Sequence, residues 1–209
     1  TIRLNRLRAA NYPGRGMHHV LVHFGVQNQQ KERTEQLHFN AMYRAKEGES
    51  VAIQGYPVFV GLRVGSEGIV LKCRTINVRN NQDTTLLQFL ESDVFKMGLR
   101  LTNMVQPVIA PFSEMAVSLA KTIMTRHENS PVQDFDLGLS FNTQALGGGL
   151  AEGTYLAVQV PESEWNTWNW EEWVYLPTRG RIVQRSEYQQ TIPYNYLAFG
   201  ISRYEAAGL

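Results

Sequence analysis

Apolar and polar residues alternate along much of the first half of the chain. In residues 37–45, apolar side chains occupy every second position, which is typical of a half-buried β-strand. Similar patterns occur at 18–26 and at 2–10, where the phase slips near Asn5 and predicts a bulge. The polar residues 27–36 predict an exposed loop between two paired strands. Because such segments recur at intervals of roughly ten residues, the pattern favours antiparallel sheets over βαβ units.

Two segments in the middle of the chain have the three-four apolar spacing of amphipathic helices. This spacing predicts helices over about 84–97 and 113–127. The second predicted helix begins at Ser113 and Glu114, and we expect it to cover one end or edge of the sheets. Pro107 and Pro111 predict that this helix does not begin earlier, because proline in a helix interior removes a backbone hydrogen bond.

Strand-like alternation resumes after the second helix, at 132–141, 154–160 and 197–204. The last of these segments contains no proline, which predicts a central position in its sheet. Together the patterns predict a mainly β fold: an antiparallel β-sandwich with two inserted α-helices, forming a single domain over residues 1–209. Because the chain begins at Thr1 without a methionine, we expect an excised domain or a processed product.

Composition narrows the choice of partner and compartment. With 20 basic and 19 acidic residues, the chain offers no general electrostatic case for binding nucleic acid. The single cysteine, Cys73, excludes an internal disulfide and a cysteine-based zinc site, and it indicates a reducing compartment such as the cytoplasm. No apolar run has the length of a transmembrane segment. Arginines are locally concentrated at Arg3, Arg6, Arg8 and Arg15, and again at Arg179, Arg181 and Arg185.

The residues that catalytic or metal sites require are scattered. No Gly-x-Ser-x-Gly elbow marks a serine nucleophile, and we expect Cys73 to be a buried apolar side chain in a strand. His19 and His23 share one face of a strand, and His38 can lie on its neighbour, so three imidazoles can converge. However, His19 and His23 are about 13 Å apart along an extended strand, too far for one ion. We therefore predict no metal, no cofactor and no enzymatic activity.

All four tryptophans lie between residues 165 and 173, at spacings that suit neither a regular strand nor a long helix. Either the rings anchor a core, or part of the stretch is a loop that presents them to a ligand. We expect Trp165 on a loop, and Trp170 and Trp173 in structural positions. The predicted ligand-binding residues are Trp165, Trp168, Trp170, Tyr175, Arg179 and Arg181.

The predicted function is binding, by a non-enzymatic cytoplasmic module whose expected ligand is a protein partner. One alternative uses the Trp-rich segment 165–175 to bind a glycan or a membrane-lipid headgroup, since an indole is stable at an interface between apolar and polar surroundings. The run VQVPESEWNTWNWEEWVYLPTRGR at 158–181 resembles the aromatic segment of the actinoporin family. Actinoporins are sandwich proteins whose Trp- and Tyr-rich loops bind lipid headgroups, so the resemblance implies lipid binding. Unlike actinoporins, which carry an amphipathic helix at the N-terminus, this chain opens with a strand.

A second alternative is a glycoside hydrolase-like site beside the same segment. Sugar rings stack on indoles, and glycosidic cleavage uses two carboxylates that flank the scissile bond. Four carboxylates lie close enough in sequence to supply such a pair, namely Glu162, Glu164, Glu171 and Glu172.

Overall fold

The computed structural model describes residues 1–30, 33–79, 83, 99–100, 106–141 and 148–204. Within these residues the fold is mainly β, as predicted, with twelve strands and one α-helix. In chain order the elements are β1 (Ile2–Arg8), β2 (Met17–Gln30), β3 (Arg33–Lys46), β4 (Ser50–Val60), β5 (Ile69–Val78), β6 (Leu99–Arg100), α1 (Gln106–Met124), β7 (Ser130–Ser140), β8 (Gly148–Gly149), β9 (Gly153–Val158), β10 (Trp173–Leu176), β11 (Arg181–Gln184) and β12 (Tyr196–Ile201).

Ten of these strands form two five-stranded sheets. Sheet A has the order β6-β4-β1-β12-β9, and sheet B has the order β3-β2-β5-β7-β8. The long strand pairs are antiparallel, whereas the two-residue strands β6 and β8 pair in parallel with β4 and β7. Because β12 lies between β1 and β9, the predicted central position of the last strand is confirmed. The remaining strands, β10 and β11, pair in a small hairpin.

One hydrophobic core receives side chains from both five-stranded sheets. Leu4 of β1 and Phe199 of β12 come from sheet A, while Phe24 of β2 and Leu71 of β5 come from sheet B. Period-two alternation turns these side chains to one face of each sheet. Cys73 is buried in the same core, as predicted. Burial of each large apolar side chain contributes about 1.5–3 kcal/mol, so this shared core is the main source of stability.

The β2–β3 hairpin is longer than the sequence predicted. Its cross-strand register is continuous through 27–30 and 33–36, which we expected in a loop. Backbone pairing outweighs the polar composition of these residues. The fully buried Asn28 adds side-chain bonds: its amide donates to the Arg63 carbonyl and accepts from the Gly65 backbone N–H at 3.0 Å.

Helix α1 begins and ends earlier than predicted. It covers Gln106–Met124 rather than 113–127, so the two prolines do not delay its start. Pro107 falls in the first turn, where the backbone N–H has no intrahelical partner and its loss costs little. The other predicted helix, at 84–97, lies outside the described residues, and the described part of the chain therefore contains one inserted helix rather than two.

The helix packs on the edge strand of sheet B, which agrees with the expected position at a sheet edge. The His38 backbone N–H donates to the Ser113 hydroxyl at 2.8 Å, so this serine, which was expected at the start of the helix, ties the helix to β3. The Asn40 side chain donates to the Ala116 carbonyl at 2.8 Å. Ile123 is fully buried in the shared core, which fixes the apolar face of the helix.

Candidate functional site

The segment 159–195, between β9 and β12, holds every residue of the predicted binding site. It contains two short 3-10 turns, Glu162–Glu164 and Trp170–Glu172, and the β10–β11 hairpin. The Tyr196 hydroxyl of sheet A donates to the Gly180 carbonyl at 3.2 Å and holds the hairpin against the sheet. Between them lies a second apolar core, the aromatic cluster, which consists of Trp173, Ile182, Ile192, Tyr194 and Tyr196 with Val158, Val160, Trp168 and Tyr175 packed against it.

Trp168 packs in the aromatic cluster. Its ring stacks on Trp173 with centroids 5.1 Å apart, and it meets Tyr194 edge to face at 4.7 Å. Trp173 is only 9% exposed, which confirms its expected structural position. The Tyr194 hydroxyl donates to the Glu164 carboxylate, and burial together with that carboxylate raises the pKa of Tyr194 to about 12. Tyr194 therefore remains a hydrogen-bond donor at neutral pH, and the cluster forms a rigid base.

Trp165 and Trp170 are the exposed indoles of the segment. Trp165 is 64% exposed and Trp170 is 51% exposed. The Trp165 ring N–H donates to the Val160 carbonyl at 2.7 Å, and the Trp170 ring meets Trp168 edge-on at 5.8 Å, in a turn capped by Asn169. The expected loop position of Trp165 is confirmed, whereas the expectation that Trp170 is structural is wrong, because its turn leaves much of the ring outside the cluster. We call these two rings the indole surface.

Acidic residues are concentrated in the stretch that carries the indole surface. Residues 162–173 contain four glutamates and no lysine or arginine. Glu162, Glu171 and Glu172 are exposed to solvent. Glu172 also accepts a hydrogen bond from the Asn169 amide at 3.2 Å. The short stretch that carries the two exposed rings is therefore negatively charged.

The remaining predicted site residues lie toward the other end of the hairpin. Tyr175 is half-buried against the aromatic cluster. Arg181 is three residue pairs from Trp173 in the hairpin ladder, about 10 Å along the strand. The Arg179 side chain is exposed, and its carbonyl accepts from the Arg6 guanidinium at 2.9 Å. The structure thus divides the predicted site into the indole surface and a separate arginine-containing surface.

Arg181 borders a polar pocket that the sequence did not identify as one site. The pocket has a volume of about 350 Å³. The β1–β4 register pairs Arg8 with Ser50, and Thr191 forms a bridge with Val183 of β11. The concentration of arginines near the N-terminus is the one sequence signal for this pocket, because its residues meet through pairing between distant strands. The lining residues are Arg8, Gly48, Glu49, Ser50, Arg181 and Thr191.

Two of the three histidines considered for a metal site meet on sheet B. His23 Nε2 and His38 Nδ1 are 3.3 Å apart, and His23 Nδ1 is 2.6 Å from Asn40 Oδ1. Because the Asn40 Nδ2 group donates to the Ala116 carbonyl, its Oδ1 accepts, which assigns the His23 proton to Nδ1. His38 then donates from Nδ1 to His23 Nε2. His19 lies four residues away along β2 and opposite another strand position, so the three imidazoles do not converge.

The histidine pair is a neutral polar network. Burial, followed by the charges of His23 and Lys72, lowers the pKa of His38 to about 4, and burial also lowers the pKa of His23. Within the described ranges, no three His, Cys, Asp or Glu side chains come together as a metal site. The pocket beside these rings is also lined by two ion pairs, Lys72–Asp136 and Arg74–Asp134.

Comparison of the chain with protein-family models, with curated proteins and with solved structures gives no match. The resemblance of residues 158–181 to actinoporins therefore stands on that segment alone. Within the described part of the chain, no helix combines the length and the apolar character needed to cross a bilayer. Function has to be inferred from the surfaces of this molecule.

Proposed function

We propose that this chain is a β-sandwich module that binds a basic segment of a protein partner through Trp165 and Trp170. The core shared by sheets A and B supports the sandwich arrangement. The observation that carries the binding proposal is the pair of exposed indoles held over a buried aromatic cluster. Burying a large aromatic ring away from water is favourable, and a partner that covers both rings would bury them.

The two rings are held in place before any partner arrives. The Trp165 indole is anchored by its bond to Val160, and Trp170 is braced by Trp168. Immobilising a flexible side chain at an interface costs about 0.5–1.5 kcal/mol, and rings that are already fixed avoid much of this cost. Tryptophan is also enriched among the residues that dominate protein–protein affinity.

Charge favours a basic partner segment. The exposed Glu162, Glu171 and Glu172 lie in the same short stretch as the two rings. An arginine or lysine placed over an exposed indole adds a cation–π interaction of about 0.5–1 kcal/mol. The glutamates add longer-range attraction for such a segment. The same glutamates repel an anionic lipid surface, so the lipid-headgroup alternative has less support.

Existing contacts weigh against the glycoside hydrolase-like alternative. Glu164 accepts a hydrogen bond from Tyr194, and Glu172 accepts one from Asn169. Both carboxylates therefore have structural partners, which supports a non-enzymatic function. A cytoplasmic location remains a proposal as well, and the single, buried Cys73 is consistent with it.

Peptide selection tests the proposed partner. Random peptides displayed on phage are selected on the full chain and counter-selected on the Trp165→Ala/Trp170→Ala double variant. We expect the enriched peptides to be rich in arginine and lysine, and to bind the double variant at least about tenfold more weakly. Tyr188→Ala is the matched control, because Tyr188 is a 57% exposed aromatic outside the indole surface. This control variant should bind the peptides like the unmodified chain.

Two further binding assays distinguish a protein partner from a glycan or a lipid. A glycan array and phosphatidylcholine vesicles are presented to the same three proteins, and the unfolding curve of the double variant shows whether its fold is intact. Failure to enrich any peptide, or equal peptide binding by the double variant and the unmodified chain, contradicts the proposal. Glycan or vesicle binding that depends on the two rings, without enriched peptides, assigns the indole surface to a different ligand.

A further inference from the structure

The polar pocket beside Arg181 brings together three parts of the chain that are distant in sequence. Arg8 comes from the end of β1, Ser50 from the start of β4, and Arg181 from the start of β11. The pocket is about 350 Å³ in volume, which is ample for a small anion. It lies away from the indole surface, so its properties can be considered independently of the proposed protein partner.

Arg8 is held in a fixed position with part of its hydrogen-bonding capacity unused. Its Nε donates to the Ile192 carbonyl at 3.1 Å and its Nη1 donates to the Gly48 carbonyl at 2.8 Å. Neither acceptor carries a full charge, and Nη2 has no partner within the described part of the chain. The guanidinium is thus oriented by neutral carbonyls while its positive charge is left without a carboxylate.

A second guanidinium and two hydroxyl groups line the same pocket. Arg181 is exposed and, among the described residues, forms no ion pair. Burial lowers the pKa of Arg8, Tyr196 opposes that shift, and the like charge of Arg181 adds to it. The Ser50 hydroxyl is buried without a hydrogen-bond partner in the described structure. Thr191 supplies the second hydroxyl.

We propose that Arg8 and Arg181 bind a phosphate group in this pocket. A phosphate dianion offers several acceptor oxygens, and guanidinium groups bind phosphate through paired, charge-assisted hydrogen bonds. Its charge compensates both arginines and removes their mutual repulsion. The Ser50 and Thr191 hydroxyls are suited to donate to the remaining oxygens. One carboxylate, Glu49, also lines the pocket; it is exposed to solvent, which screens its repulsion of a bound anion, and it lies 3.9 Å from the Lys46 ammonium.

Phosphate binding is measured by calorimetry on the full chain at constant ionic strength, with chloride as the reference anion. The Arg181→Gln variant should bind inorganic phosphate at least about tenfold more weakly, because a charge-assisted contact is lost. Arg185→Gln is the matched control: it removes the same charge from an exposed position just beyond β11 that does not line the pocket. Arg8→Gln is not used alone, because Arg8 also joins two backbone segments; Ser50→Ala provides the milder second variant and should weaken binding several-fold.

The source of the phosphate is separated by two additional probes. Glycerol 3-phosphate represents a soluble phosphate monoester, and phosphatidylcholine vesicles containing phosphatidic acid represent a lipid headgroup. If only the soluble probes bind in an Arg181-dependent manner, the ligand of the pocket is free phosphate or a small phosphate monoester. If the vesicles also bind in an Arg181-dependent manner, the ligand is a lipid headgroup. Absence of phosphate binding by the unmodified chain, or equal weakening in Arg181→Gln and Arg185→Gln, overturns the proposal. The Trp165→Ala/Trp170→Ala variant should bind phosphate normally, so this proposal and the protein-partner proposal fail independently.

Discussion

Replacing Trp168 with alanine should destabilise the fold, whereas the same change at Trp165 should have little effect on stability. The two residues lie three positions apart and both carry indoles. Trp168 packs against Trp173 and Tyr194, while Trp165 is 64% exposed and keeps one hydrogen bond to a backbone carbonyl. The comparison therefore separates a ring that stabilises the fold from a ring that is available to a partner.

The expected magnitude follows from burial and ring contacts. A tryptophan buries about 150–250 Å², which at about 25 cal/mol per Å² corresponds to roughly 4–6 kcal/mol for complete burial. Because Trp168 is partly exposed, about half of this value applies, and its contacts with the buried rings of Trp173 and Tyr194 add about 0.5–1.5 kcal/mol each. Together these contributions predict that Trp168→Ala lowers the free energy of unfolding by about 3–6 kcal/mol. For Trp165→Ala the expected loss is below about 1 kcal/mol.

Urea unfolding followed by fluorescence and circular dichroism measures these differences. In thermal unfolding of a chain of this length, a decrease of about 3 kcal/mol in the free energy of unfolding lowers Tm by roughly 6–12 °C. Trp168→Phe is an informative third variant, since Trp168 Nε1 is buried without a partner in the described structure and phenylalanine removes that N–H while keeping an aromatic ring. Its loss should be clearly smaller than that of the alanine variant. Equal stability of Trp168→Ala and Trp165→Ala would refute the assignment of Trp168 to a packed cluster.

Three further predictions concern sheet B and one turn. Asn40→Ala should lower the free energy of unfolding in urea by about 2–3 kcal/mol, because it leaves the His23 ring N–H and the Ala116 carbonyl without partners; a loss below about 0.5 kcal/mol would contradict the importance of these two hydrogen bonds for stability. The pKa of His38 is about 4 in the folded protein, against 6.5 in the unfolded chain, so protonation favours unfolding. The free energy of unfolding should therefore decrease as the pH is lowered from 6.5 to 4, and the decrease should be smaller in His38→Gln. Equal pH dependence of stability in the two proteins would contradict this prediction. Gly68→Ala should cost more than about 2 kcal/mol, because φ is +85° and a Cβ would collide with the backbone of β7; an unchanged melting temperature would contradict this expectation.

The strands that carry a clear two-residue alternation were predictable from the sequence because one of their faces packs into the core. The alternation at 37–45 and the phase slip near Asn5 both correspond to observed features, the latter to a register shift between Leu4 and Arg6. The polar ends of β2 and β3 were not predictable, because their stability comes from continuous backbone pairing. The early start of α1 was missed because a proline at the first turn of a helix costs little.

The candidate site was only partly predictable, for a different reason. The density of tryptophans singled out the segment that carries the exposed indoles, and Trp165 was placed on a loop correctly. The sequence could not separate Trp168 from Trp170, because the burial of Trp168 depends on its contact with Tyr194, which lies 26 residues further along. The polar pocket beside Arg181 depends in the same way on the pairing of β1 with β4 and on the position of the β10–β11 hairpin. Distant pairing of this kind leaves no local pattern.

The central pair of sheet A has a consequence for the order of assembly. Sheet B joins β2, β3 and β5, which are close in sequence, whereas β1 pairs with β12 across almost the whole length of the chain, with Ile2 opposite Ile201. Closing so long a loop is slow until other contacts bring the ends together. We expect the β2–β3 hairpin to form early and β12 to pair late. Because Tyr196 of β12 is part of the aromatic cluster, the cluster cannot be complete before β12 is in place. The indole surface should therefore exist only in molecules that have finished folding, so that partner binding reports the maturity of the whole domain.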